Sequence, residues 1–196
     1  MDVNITEVVK IDEKTRNEIV VDIETTGLLP WYGDKVTCIC ARDSNGDTFS
    51  EVVEIESELL DKFIDWLSDK EDYSWISFNG KQFDIPFIMT RSCLEFGLSD
   101  DDLKCSYHFL KWNHIDLHEE LRKLTGKRIS LDTAAKLMGC DSKSGKGKDA
   151  IELWRQGRFD ELKAYCMQDV EVTWQVYYKY KKLEGATGQD TSTDEL

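Results

Sequence analysis

The chain has 196 residues, of which 40% are hydrophobic and 33% charged, with only two prolines, a composition typical of one folded α/β domain. Its formal net charge of −14 argues against a protein that coats nucleic acid through bulk electrostatics, but it is compatible with an enzyme that binds one strand end. No apolar run approaches the roughly 20 residues that a transmembrane helix needs, and the N-terminus lacks the basic start and apolar core of a signal peptide. We therefore expect a cytoplasmic protein.

A unit of three strands is predicted first in the chain. Apolar and β-branched residues favour a strand over 18–23, and similar runs favour strands over 35–41 and 48–53. The loop between the last two contains Asn45-Gly46, a dipeptide typical of hairpin turns. We therefore expect 35–41 and 48–53 to pair as antiparallel neighbours.

A helix, a strand and a second helix follow. Apolar residues recur at 59, 60, 63, 64 and 67, and this spacing predicts a helix over 57–68. A fourth strand is expected over 73–78, and a helix over 84–96 with Pro86 in its first turn, where proline is tolerated. Residues 99–111 are predicted to be irregular.

The rest of the chain is predicted to be mostly helical, with one short strand over 114–117. Small, polar and acidic residues mark 185–196 as a disordered tail, which leaves 1–184 as one domain. This order of elements predicts an α/β fold with a mixed five-stranded sheet and helices on both faces. The expected helices cover 118–124, 131–138, 149–156 and 159–183, and a basic, glycine-containing loop covers 139–148.

The six cysteines form no CxxC pair and are interpreted as reduced core thiols. Cys38 and Cys40 would share one face of a strand. That arrangement is a poor zinc site unless two further ligands join it.

Two carboxylates stand at the end of the first strand. Asp22 and Glu24 are two residues apart, so in an extended chain they project to the same face. Two negative charges side by side raise each other's pKa and oppose folding. A divalent cation between them would remove that penalty, and the pair therefore indicates a metal site.

Two further acidic positions complete the pattern. Asp84 lies just beyond the fourth strand, and Asp169 lies in the last helix. Tyr165 precedes Asp169 by four residues, so both lie on one helix face. If that face meets the end of the first strand, four carboxylates and one tyrosine converge. Two Mg²⁺ or Mn²⁺ ions, which prefer oxygen ligands, would make the cluster tolerable and would support metal-dependent phosphodiester hydrolysis.

Three segments resemble the three motifs of the DEDD exonuclease superfamily, in its tyrosine-containing branch. The motifs span about residues 18–180, and together, in this order and spacing, they are highly specific. They are Asp22-Ile23-Glu24-Thr25-Thr26-Gly27-Leu28, Asn79-x-x-x-Phe83-Asp84 and Tyr165-x-x-x-Asp169.

Within the superfamily, the similarity is closest to the proofreading exonuclease domain of family B DNA polymerases and its stand-alone relatives. It implies a ribonuclease H-like fold and removal of nucleoside monophosphates in the 3′→5′ direction. The segments that carry this closer similarity are His114-Ile115-Asp116-Leu117, Ser130-Leu131-Asp132 and Tyr165-Cys166-x-x-Asp169-Val170-x-x-Thr173.

The resemblance also implies roles for the acidic residues and the tyrosine. By position, Asp22, Glu24 and Asp169 would bind the first metal ion. Asp22 would bridge to a second ion that Asp84 supports, and Tyr165 would orient the nucleophilic water.

A second group of residues would bind the substrate strand. The resemblance implies that Glu24 and the backbone of Thr25 and Thr26 meet the terminal 3′-hydroxyl, while Leu28 wedges against the terminal base. Asn79 and Phe83 would contact the strand. An apolar side chain holds a base without reading sequence, because every base has a π-face.

Other candidates have structural interpretations. Asp116 follows an apolar pair at a strand end, and capping of the next helix is the preferred interpretation, with a direct role at the site as the alternative. Asp132 stands at a helix start, where capping or the helix dipole accounts for it. The aromatic residues of the last helix are interpreted as packing rather than as a base platform; they are Trp174, Tyr177, Tyr178 and Tyr180.

Two alternatives to a DNA 3′→5′ exonuclease stay open. One is an exoribonuclease or short-oligonucleotide ribonuclease, because no residue plainly recognises or excludes a 2′-hydroxyl. The other is a non-catalytic nuclease-like module that binds nucleic acid. The expected ligand is a single strand with a free 3′ end, a separate polymerase or DNA repair complex is a candidate partner, and no membrane is expected.

Overall fold

The computed structural model describes residues 17–70, 72–97, 113–140 and 147–187, without the side chains of 147–149 and 186–187. The irregular segment predicted over 99–111 lies outside these ranges, as does most of the basic loop predicted over 139–148.

Five strands form one mixed sheet in the order β3-β2-β1-β4-β5. β1 pairs antiparallel with β2, which pairs antiparallel with β3, whereas β4 and β5 run parallel to β1. The predicted α/β fold with a mixed five-stranded sheet is therefore confirmed, together with the β2-β3 hairpin. The strands are β1 Glu18–Thr25, β2 Val36–Asp43, β3 Thr48–Val52, β4 Ser74–Ser77 and β5 His114–Asp116.

Within the described ranges, the helices follow the predicted order. A single 3-10 turn, Pro30–Tyr32, interrupts the connection from β1 to β2. None of the described helices has the length and apolar character that would carry it across a bilayer. The α-helices are α1 Glu56–Leu67, α2 Asp84–Phe96, α3 Leu117–Thr125, α4 Leu131–Met138, α5 Gly147–Arg155 and α6 Phe159–Thr187.

The alternation of side chains along β1 divides the core between the two faces of the sheet. Ile19, Val21 and Ile23 pack with α1 and α2 on one face. Val20 packs on the other face with residues of α3, α4 and α6. Asp22 and Glu24 share the face of Val20, so the acidic pair points towards the long helix α6.

Helix α6 continues beyond the predicted domain boundary. It includes residues 185–187, which the composition assigned to an acidic tail, and residues 188–196 lie outside the described part of the chain. The apolar stripe of α6 packs against β1 and β2 and does not depend on the polarity of its last turn. A helix that is anchored elsewhere can therefore extend into a polar sequence.

Candidate metal centre

Three carboxylates meet where β1 faces α6. Asp22, Glu24 and Asp169 each place a carboxylate oxygen within 4.8 Å of those of the other two. Asp169 is buried, at 4% exposure, and Asp22 and Glu24 are half-buried. Three carboxylates so close repel one another unless a cation or protons compensate their charge. Of the four carboxylates that the sequence predicted to converge, these three lie together in the structure.

Asp84 lies beside this group, at the start of α2. Its Oδ1 accepts a hydrogen bond from the backbone N–H of Ile23 at 3.1 Å, which fixes the carboxylate against β1 at the residue that separates Asp22 from Glu24 in the sequence. Burial raises the pKa of Asp84 from 3.8 to about 7, and the charges of Asp116 and Asp169 act in the same direction. A cation bound at this carboxyl group would displace the proton, because carboxylates bind metal ions in their deprotonated form.

The turn from β4 to α2 depends on a close approach at Gly80. A Cβ atom at this position would lie 2.6 Å from the Cβ and Oγ atoms of Ser77 and 3.3 Å from Oδ2 of Asp84. Only glycine fits without displacing the strand end or the carboxylate. Asn79 adopts a left-handed φ of 73°, which asparagine tolerates better than most residues.

Asp116 organises the same turn from the neighbouring strand. It is fully buried and accepts hydrogen bonds from the N–H groups of Asn79 at 2.8 Å and Lys81 at 3.1 Å. It also caps α3 by accepting from the N–H of His118 at 3.0 Å. The capping interpretation is confirmed. Its contact with the loop leading to Asp84 was not predicted from the sequence, although the shared edge of parallel strands was a signal for it.

Tyr165 and Asp169 lie one turn apart on the inward face of α6, and both are buried. Between them, the thiol of Cys166 contacts Asp22, with Sγ 3.4 Å from the backbone oxygen and 3.6 Å from Oδ2. This contact joins α6 to β1 at the acidic pair. Most of the other α6 aromatics are packed as predicted, since Trp174, Tyr177 and Tyr180 are buried, whereas Tyr178 is exposed.

A second group of candidate ligands lies beside the carboxylates, since Cys40 and Cys38 are the β2 partners of Asp22 and Glu24. The thiols of Cys38, Cys40 and Cys166 are buried and lie within 4.8 Å of one another. Thiolates select soft cations, whereas carboxylates suit Mg²⁺ and Mn²⁺. The thiol group therefore does not compete with the carboxylates for a hard cation, and its burial agrees with the predicted core thiols.

The residues predicted to meet the 3′-hydroxyl form the turn after β1. The hydroxyl of Thr25 donates to the carbonyl oxygen of Gly27 at 2.5 Å. The hydroxyl oxygen of Thr26 accepts from the N–H of Lys35 at 2.9 Å, and the N–H of Thr26 donates to the Lys35 carbonyl oxygen at 2.9 Å. The two side chains thus stabilise the turn, and their predicted contact with substrate stays a prediction.

The other predicted strand contacts differ in exposure. Leu28 is 73% exposed, whereas Asn79 and Phe83 are half-buried. Phe83 packs against Phe87, with ring centroids 5.4 Å apart, so part of its surface belongs to the core. The roles of these residues towards a strand stay predictions.

Three large apolar residues that follow Leu28 were not predicted from the sequence to have a role at the site. Leu29, Trp31 and Tyr32 are also exposed, at 45%, 61% and 80%. The available signal was a run of large apolar residues in a turn that directly follows an acidic pair. Composition alone does not distinguish an exposed aromatic residue from a buried one.

Comparisons with known proteins concern the family and the fold of the chain. Residues 30–196 match the model of a family described as predicted 3′-5′ exonuclease related to the exonuclease domain of PolB. The match includes Asp84, Tyr165 and Asp169 and begins after Asp22 and Glu24.

The proteins similar to the chain include two DNA polymerases. A DNA polymerase from Pyrococcus glycovorans is 23% identical over 155 residues, which cover 69% of this chain and 20% of the polymerase. The solved family B DNA polymerase from Pyrobaculum calidifontis superposes with a TM-score of 0.68 at 17% identity, over 84% of this chain and 24% of the polymerase. The chain thus spans about a fifth to a quarter of the length of these proteins, and at this identity the structural likeness concerns the fold.

Proposed function

The chain belongs to the family of predicted 3′-5′ exonucleases related to the exonuclease domain of PolB, and we propose that it is an active, metal-dependent enzyme of this kind. The membership confirms the resemblance read from the three motifs. The proposed reaction is hydrolysis of the terminal phosphodiester bond of single-stranded DNA, with release of nucleoside 5′-monophosphates from the 3′ end. The observation that carries the proposal is the convergence of Asp22, Glu24 and Asp169 on one side of β1.

The donor set fits two hard divalent cations. Asp22, Glu24 and Asp169 offer only carboxylate oxygens, the ligands that suit Mg²⁺ and Mn²⁺, and their mutual repulsion favours occupancy by a cation. We propose that these three hold one ion and that Asp22 and Asp84 hold a second. When bound, such ions activate water and stabilise the charge on a phosphodiester undergoing in-line displacement.

The protein side chains then have separate tasks. Asp84 would give up the proton that burial retains near neutral pH, because a bound cation favours its charged form. Tyr165, one turn from Asp169, would orient the attacking water through its hydroxyl group. The packed face of α6 and the contact of Cys166 with Asp22 would keep these groups aligned, which positioning catalysis requires.

DNA is the proposed substrate rather than RNA, because the two similar proteins described above are named DNA polymerases. Leu28 and Phe83 would contact bases, and Asn79 together with the backbone of Thr25 and Thr26 would contact the terminal nucleotide. A separate polymerase or DNA repair complex as partner, and a cytoplasmic location, belong to the same proposal.

The test is digestion of matched, 5′-labelled DNA and RNA single strands in Mn²⁺ or in EDTA. We expect the DNA to shorten stepwise in Mn²⁺, the EDTA sample to stay intact, and Asp22→Ala to be inactive. Asp132→Asn, a change in the first turn of α4 outside the centre, is the matched control and should stay active. Preferential digestion of RNA would favour the exoribonuclease. Strand binding in EDTA without cleavage in Mn²⁺ would favour the binding module.

A further inference from the structure

An exposed apolar segment follows the acidic pair. Residues 28–32, here called the apolar turn, contain four large apolar side chains that are 45–80% exposed. Contiguous exposed apolar patches larger than about a few hundred Å² are rare on soluble monomeric proteins and usually mark binding sites. The rings of Trp31 and Tyr32 are tilted by 59° with centroids 6.4 Å apart, so they do not lie flat on each other and each presents a face to solvent.

Buried contacts fix the backbone of the apolar turn. Pro30 is buried, and its carbonyl oxygen accepts a hydrogen bond from Nη1 of Arg91 at 3.2 Å. Arg91 is itself buried and paired with Glu56, with Nη2 2.6 Å from Oε2. The exposed aromatic side chains therefore stand on a fixed backbone, and less conformational entropy is lost when they bind a ligand.

Hydrogen bonds also close the base of the apolar turn. Oδ2 of Asp34 accepts from the N–H of Leu29 at 2.9 Å. A Cβ atom at Gly27 would lie 2.3 Å from the same oxygen, so glycine is needed for this approach. The N–H of Thr26 pairs with Lys35, which starts the turn only two residues after Glu24.

The position of the turn relates it to the metal centre. Its anchor, Arg91, lies seven residues after Asp84 on α2, which is about 10 Å along a helix axis. A stacked single strand rises about 3.4 Å per nucleotide, so about three nucleotides would span this distance. A strand that starts with its 3′ end at the carboxylates and runs along α2 towards Arg91 would bring bases about three nucleotides from the end to the apolar turn.

We propose that Trp31 and Tyr32 form a stacking platform for unpaired bases about three nucleotides from the 3′ end. The inference rests on the proposed function, because it takes the strand end to lie at the carboxylates. Aromatic rings bind bases of any sequence through their π-faces. A platform of this kind suits an enzyme with a net charge of −14, since stacking contributes to strand binding without a large basic surface.

The test measures binding without turnover. A fluorescein-labelled oligodeoxynucleotide is titrated in EDTA with an Asp169→Asn background protein, and then with the same protein carrying Trp31→Ala and Tyr32→Ala. We expect the double change to weaken binding at least fivefold, from the known contribution of base–aromatic stacking. Trp31→Phe with Tyr32→Phe should restore most of the affinity. Tyr178→Ala, which removes an exposed aromatic ring from α6, is the matched control and should bind normally.

A modified strand makes the test specific to the platform. Abasic residues placed about three nucleotides from the 3′ end should weaken binding by the background protein but not by the Trp31→Ala, Tyr32→Ala variant. Equal affinity of the two proteins for the unmodified strand would overturn the platform while leaving the exonuclease proposal intact. If wild-type protein instead neither binds nor cleaves single strands, the proposed function itself fails. Thermal unfolding of each variant checks that the fold is retained.

Discussion

Replacing Asp84 by asparagine should stabilise the metal-free protein at alkaline pH. The pKa of this buried carboxyl group rises from 3.8 in the unfolded chain to about 7 in the folded protein. The folded state therefore binds the proton more tightly than the unfolded state does. The contribution of this group to the free energy of unfolding decreases as the pH rises from about 4 to about 7. At 1.36 kcal/mol per pKa unit, the charged carboxylate lowers the free energy of unfolding by about 4 kcal/mol at pH 8, and by less than half of that at pH 5.

Asparagine removes the charge but keeps an oxygen that accepts from the N–H of Ile23. Urea unfolding in EDTA at pH 5 and pH 8 measures the difference, with Asp132→Asn as a control in the first turn of another helix. We expect the free energy of unfolding of Asp84→Asn to exceed that of wild type by a few kcal/mol at pH 8 and by clearly less at pH 5. Mn²⁺ should stabilise wild type more than the variant. A variant no more stable than wild type at pH 8, or with an unchanged pH dependence, would refute this reasoning.

Three further changes address the surroundings of the centre. Gly80→Ala should lower stability by about 1–3 kcal/mol through overpacking and reduce nuclease activity. Gly185→Ala, with open space around it, should do neither. Equal melting temperatures and activities of the two variants would contradict this. Arg91→Met should lower the free energy of unfolding in urea by about 3–5 kcal/mol, because it leaves the buried Glu56 carboxylate unpaired. Adding Glu56→Gln should restore part of the lost stability. A double variant no more stable than Arg91→Met would argue against the pairing. Tyr165→Phe should slow hydrolysis about tenfold in a single-turnover assay, as expected for one lost hydrogen bond. Its affinity for the strand should be unchanged. Full loss of Mn²⁺ binding would instead indicate a structural role for Tyr165.

Local patterns were sufficient to predict most of the fold. The helices over 84–96 and 131–138 have the predicted bounds, because each begins at a polar or proline-containing first turn and ends at a glycine. The alternation along β1 also predicted that Asp22 and Glu24 share a face. The end of α6 was not predictable from composition, because packing of its earlier turns on the sheet stabilises the helix into a polar segment.

The contacts between distant segments could not be derived from local sequence. Asp84 reaches the N–H of Ile23 across 61 positions, and Asp116 binds the loop that precedes Asp84. Such partners depend on which strands become neighbours in the sheet. The hydrogen bond from Arg91 to the carbonyl oxygen of Pro30, next to Trp31, likewise joins segments 61 positions apart, and no periodicity in the turn indicates it.

The most direct test of the central claim uses one oligodeoxynucleotide labelled at either end. In Mn²⁺, the wild-type protein should release label from the 3′-labelled strand as mononucleotide from the first turnover. The 5′-labelled strand should shorten through a ladder of intermediates, and Asp169→Asn should leave both strands intact. A folded wild-type protein that binds Mn²⁺ but releases no 3′ label, or that cuts first at internal positions, would contradict the account of this chain as a 3′→5′ exonuclease.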